Sequence, residues 1–82
     1  MPRYFFHVHD SIDLQDKVGT EFPNDEAAES TAVVVAGEML KDLKGDFWNE
    51  SSWRLEVLDE SGSQVCLLEV TANSRREKAA PA

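Results

Sequence analysis

The chain has 82 residues, which fits one small domain and leaves no room for a catalytic domain beside a regulatory one. Hydrophobic residues are 41% and charged residues 29%, the balance of a folded protein, and the formal charge is −8, with 15 acidic against 5 basic side chains in residues 1–72. An acidic body repels phosphate, so neither direct nucleic-acid binding nor docking on an anionic membrane is expected.

Residues 3–9, RYFFHVH, alternate with an aromatic and β-branched bias and predict a strand. Tyr4, Phe6 and Val8 share one face, and Phe5, His7 and His9 the other. Next, DSIDLQDK brings turn-forming Asp10, Ser11, Asp13 and Asp16, predicting a wide acidic loop that leads to a short strand at Val18–Phe22. Pro23 ends that strand because it has no ladder donor. Asn24 is a good N-cap, and Asp25 and Glu26 place negative charge where the helix dipole favours it.

Through DEAAESTAVVVAGEMLKDLKG, one apolar stripe runs along Ala28, Ala32, Val35, Met39 and Leu43, widened by Ala36 and Leu40. Lys41 and Lys44 fall in the last turn, and Gly45 suits the left-handed position beyond it. Gly37, in mid-helix, is read as permitting a close helix–sheet approach. DFWNESS then predicts a loop holding Phe47 and Trp48. WRLEVLDE predicts a strand with Trp53, Leu55 and Val57 on one face and Arg54, Glu56 and Leu58 on the other. After a turn around Ser61–Gly62, VCLLEVTA predicts a fourth strand, with Cys66, Leu68 and Val70 inward and Val65, Leu67 and Glu69 outward. NSRREKAAPA has no periodicity and reads as a disordered tail, so the domain is residues 1–72 and the tail 73–82.

The order is ββαββ: an α+β fold, a four-stranded antiparallel sheet with one helix packed on one face. One helix covers one side. The other face, with Phe5, His7, Leu58, Val65 and Leu67, groups too much apolar surface to stay wet, and a second copy of the chain is its expected cover. A core this small supplies only about 3–5 kcal/mol without disulfides, metal or oligomerisation. An intrachain disulfide is excluded, since Cys66 is the only cysteine. With no apolar run for a signal peptide or membrane span in MPRYFFHVHD, a cytoplasmic protein is expected.

Taken together, PRYFFHVHD, GTEFPNDEAA before the helix, FW…WRLEVLDESG and the final apolar strand resemble a family of short bacterial proteins, the domain of unknown function DUF6894. The resemblance spans roughly residues 2–72. It implies a small ββαββ domain and brings no activity, ligand or catalytic residue. The order of a hairpin and then FP entering an amphipathic helix is also similar to HicB-like antitoxin domains, at the level of fold.

Three stretches invite a chemical reading. His7 and His9 point the same way on a strand, so with Asp10 they are candidate metal ligands for a minimal metal-dependent enzyme. Two histidines fall short of the four ligands of a structural site, and the expectation is that they are structural, with no metal and no cofactor. The acidic loop from Asp10 fits an EF-hand at Glu21 but has Gln15 where glycine is needed, and reads as a solvated turn. Cys66 has no base beside it and is expected to be a buried, inert thiol. No catalytic residue is assigned. Trp53 reads as a core anchor and Trp48 as a partner contact, joining Phe5, Leu58 and Leu67 as interaction residues. The resulting expectation is a non-catalytic interaction module acting as a homodimer. The alternatives are the metal-dependent enzyme or metal-binding protein, and an antitoxin-like binder whose acidic surface masks a basic protein.

Overall fold

The computed structural model describes residues 1–10, 13–49 and 52–75. Its elements are β1 (Arg3–His9), β2 (Thr20–Glu21), α1 (Asp25–Leu43), β3 (Trp53–Leu58) and β4 (Gln64–Val70). The strands form one antiparallel sheet in the order β2-β1-β3-β4, so the chain has the expected α+β fold in a ββαββ arrangement. Most of the tail reading falls on residues 76–82, outside the described residues.

Period two sets the faces, and the register lines them up. Phe6 pairs with Val57 and Val8 with Leu55, while Leu55 also pairs with Leu68 and Val57 with Cys66. These rows lie under α1, which rests on β3 and β4. Tyr4, Val8, Trp53, Leu55 and Val57 are buried against Ala28, Ala32 and Ala36, with Val35, Met39, Leu40 and Leu43 at the margin. The helix therefore presents methyl groups to the sheet, and the sheet supplies the bulk. Fully burying a side chain of Leu55 or Val57 size stabilises by about 1.5–3 kcal/mol, so these residues dominate the core. Asn24 caps the helix as expected, its Oδ1 accepting the Ala27 N–H at 2.9 Å.

Several local expectations are corrected. The second strand is shorter than Val18–Phe22, because Gly19 sits at φ 75° against β1. A Cβ there would lie 2.8 Å from Arg3 Cγ and from Phe5 Cε2, and 2.9 Å from the Tyr4 carbonyl oxygen. The helix C-terminus is turned by Lys44 at φ 50°, not by Gly45, and the Lys44 N–H bonds back to the Leu40 carbonyl. A 3-10 helix over Lys44–Asn49 replaces the start of the predicted loop and brings Phe47 against the core. In β4 a bulge intervenes: Val57 pairs with Cys66 but Leu58 pairs with Gln64. Val65 is the extra residue, and it packs on the core cluster instead of facing outward. Among the described residues no helix is long and apolar enough to cross a membrane.

Gly37 is not a close-approach glycine, since a Cβ at that position would meet nothing within 4 Å. It is exposed in mid-helix and contributes only backbone freedom to the unfolded chain. Gly37→Ala is expected to raise stability by about 1 kcal/mol. Urea denaturation at fixed protein concentration checks this, and an unchanged or lower midpoint would contradict it.

Candidate functional site

The polar side chains singled out by the sequence gather along β1. Asp16 is the hub. Its Oδ2 accepts the Phe6 N–H at 3.1 Å, and its Oδ1 accepts those of Val18 at 3.1 Å and Gly19 at 2.9 Å. The β1 edge beyond Tyr4 is thus satisfied by a carboxylate in place of a strand. One step further, Val8 and Leu14 exchange backbone bonds of 2.9 and 2.8 Å. Burial opposes ionisation of Asp16, but the three N–H groups outweigh it and hold the pKa below 3.8.

His7 belongs to the same arrangement. Its Nδ1 accepts the Asp16 N–H at 3.1 Å, which puts the proton of the neutral ring on Nε2. His9 lies between two carboxylates, with Nδ1 3.3 Å from Asp13 Oδ1 and Nε2 3.3 Å from Glu56 Oε1. Carboxylates only accept, so both contacts are hydrogen bonds together only in the imidazolium. The histidine Nδ1 contacts therefore point to different loop groups, Asp16 for His7 and Asp13 for His9. Asp10 is half-buried at the end of β1. Among the described residues no group of three or more His, Cys, Asp or Glu side chains is placed to hold a metal ion.

A second polar cluster stands at the N-terminus of α1. Tyr4 Oη donates to Asp25 Oδ1 at 2.8 Å, in a cleft of about 330 Å³ lined by Pro2, Tyr4, Asp25, Asp59, Glu60 and Ser61. The bond to Asp25 first, then burial and the charges of Asp25, Asp59 and Glu60, push the Tyr4 pKa up to about 12. Asp59 organises the β3–β4 turn, its Oδ1 accepting from Ser61 Oγ at 2.7 Å and from the Ser61 and Ser63 N–H groups at 2.9 and 3.0 Å. The Ser61 hydroxyl, followed by the Ser63 N–H, holds its pKa below the ordinary carboxylate value.

A family model described as a domain of unknown function (DUF6894) matches residues 3–71. The chain belongs to the DUF6894 family. No curated protein and no solved structure matches it. The DUF6894 match begins with β1 and runs one residue past β4, so it takes in every strand, the helix and the Asp16 loop.

Of the expected interaction residues of this DUF6894 domain, Phe5, Leu58 and Leu67 stand on β1, β3 and β4, and Trp48 on the 3-10 segment. Phe5 and Leu58 are half-buried and directly paired across β1 and β3. Leu67, opposite Glu56, is 38% exposed, and Trp48 is 40% exposed in the 3-10 segment, tilted against Phe47 at 6.4 Å. Cys66 is only half-buried, short of the burial expected, and burial followed by the charges of Glu29 and Asp25 raises its pKa, which suits an unreactive thiol. Sequence reasoning missed Asp16 as the hub. The available signal was Asp16-x-x-Gly19, an aspartate poised to close a turn on its own following backbone.

Asp16→Ala leaves the part-buried Phe6 N–H unpaired and is expected to cost roughly 1–3 kcal/mol. The native carboxylate stabilises the fold above 3.8 and loses that effect as pH falls through its lowered native value. Denaturation midpoints between neutral and acid pH should accordingly fall less steeply in Asp16→Ala than in the native chain.

Tyr4 acts at the other end of the scale. Its raised pKa favours the protonated native state, so its contribution is complete below 10.0 and is lost as pH rises through about 12. Tyr4→Phe should flatten that alkaline loss, as followed by circular dichroism, and an alkaline limb of unchanged slope would contradict the assignment.

Proposed function

We propose that this DUF6894 chain is a non-catalytic interaction module that acts as a homodimer. The observation that carries the reading is how the chemically able side chains are used. Asp16 and Asp59 hold backbone N–H groups, His7 accepts a loop N–H, and His9 bridges a loop to the sheet. Meanwhile, among the described residues, the sheet has a helix on one face only. A fold whose polar groups fasten loops, and whose layers end at an uncovered sheet, fits assembly better than turnover.

A second reading, an antitoxin-like binder of a basic protein, is favoured by the cleft that places Asp25, Asp59 and Glu60 around Tyr4. Charge of one sign at a concave surface accelerates encounter with a partner of the other.

Light scattering on the full chain after size exclusion, at micromolar concentration, should return twice the chain mass. A monomer would overturn the homodimer reading. Titration with Zn²⁺, Mn²⁺ or Ni²⁺ is expected to leave the melting temperature unchanged. A rise in the native chain that His7→Ala, His9→Ala abolishes would favour a metal-binding protein instead.

A further inference from the structure

The two edges of the sheet are unlike. At the β2 side only Thr20–Glu21 forms strand, and the rest of β1 is closed by Asp16 and by the Val8–Leu14 bridge. At the other side β4 runs for seven residues, hydrogen-bonded to β3 alone among the described residues. Its sequence, QVCLLEV, has no proline and no lysine to guard it from pairing, and the bulge at Val65 lies near its start, leaving residues 66–70 in regular register with β3.

The helix adds a matching wall above that edge. Thr31 and Val35 line a cleft with Phe6 and Phe22, so that flank of α1 faces β1 and β2. Glu29 lies on the opposite flank, close enough to Cys66 for its charge to act on the thiol. Val33 follows Glu29 by four residues, about 40° round the same flank, and is 61% exposed. Gly37, one turn on, presents no side chain there.

The levels also agree. The helix and β4 run the same way, both starting at the end of the sheet that holds Tyr4 and Asp59. Glu29 and Asp25 both act on Cys66, near the start of β4, and Val33 follows Glu29 by about 6 Å in the direction in which β4 runs.

We infer that β4 pairs antiparallel with β4 of a second copy about a two-fold axis near Leu67, giving one continuous sheet with the two α1 helices side by side and Val33 at their seam. This rests on the homodimer reading and places its contact at the β4 edge instead of across the open face of the sheet. Three features select a second copy over another occupant. An uncapped edge is satisfied by an identical uncapped edge under two-fold symmetry. A register centred on Leu67 keeps Glu69, the one charge in β4, about four positions along the strand from the partner's Glu69. The antiparallel helices bring Glu26 and Glu29 of one copy towards the partner's Lys41 and Lys44, and oppose their dipoles.

Sedimentation velocity on the full chain, Val33→Glu and Leu58→Glu is the test, with circular dichroism confirming helicity. Val33 is exposed in the single chain, so its replacement should leave the monomer folded and raise the dimer dissociation constant by about tenfold or more, as two carboxylates meet at the axis. Leu58→Glu should leave the constant unchanged. Hydrogen exchange on the native chain gives a readout independent of any variant: β4 amides should slow as concentration passes the dissociation constant. A native monomer overturns both this pairing and the homodimer reading. A dimer broken by Leu58→Glu but not by Val33→Glu, or β4 amides indifferent to concentration, overturns the pairing and leaves a homodimer formed through the open face.

Discussion

Three backbone N–H groups, from Phe6, Val18 and Gly19, end on the single carboxylate of Asp16, and the shape of the domain follows from that convergence. A strand edge in water needs no partner, but one that runs beside packed aromatic rings does. Phe6 lies in such a place, 6.0 Å from the ring of Phe22. Supplying its acceptor from a side chain lets β2 stop after two residues and lets the hairpin loop fold back along β1. The loop then delivers Asp13 to His9 and the Asp16 N–H to His7. The polar features that look like chemistry in the sequence are thus consequences of closing an edge.

The same closure makes the sheet asymmetric. One border is occupied by a loop that cannot be displaced without orphaning part-buried donors, and the other is a seven-residue strand with one bulge near its start. The proposed homodimer accordingly uses β4, and the closed border of β1 takes no part in it. The homodimer and the basic-partner readings both respect this polarity, since the cleft around Tyr4 and Asp25 lies at the end of the sheet, clear of the closed border.

Much of the fold was legible because β1, β3 and α1 carry clean periodicities. Tyr4, Val8, Trp53, Leu55 and Val57 were assigned to the helix-facing side from alternation alone, and all five are buried. Alternation fails where the backbone departs from regular geometry. Nothing in VCLLEV marks a bulge, so alternation alone puts Val65 on the wrong face. Gly45 was the natural residue for a left-handed turn, yet the helix ends one residue earlier and Lys44 takes that strain. Gly37 and Gly19 illustrate the limit from both sides: the glycine given a packing role has empty space beside it, and the one passed over is pressed against Arg3, Phe5 and Tyr4. Asp16 was visible as a turn residue, but its role depends on a contact ten residues back, which no local pattern encodes.

The alanine face of α1 sets which changes the domain tolerates. Ala28, Ala32 and Ala36 hold the helix close to the sheet, and all three are buried in the core cluster. Enlarging any of them forces the helix off Trp53 and Leu55, at the typical overpacking cost of about 1–3 kcal/mol, while trimming them further offers almost nothing to remove. Variation in this core is therefore one-sided: the strands can exchange one apolar residue for another of similar volume, whereas the inner helical positions have no comparable substitutes. The outer positions of the same helix are free of that constraint, so its exposed surface can change without touching the packing that holds the domain folded.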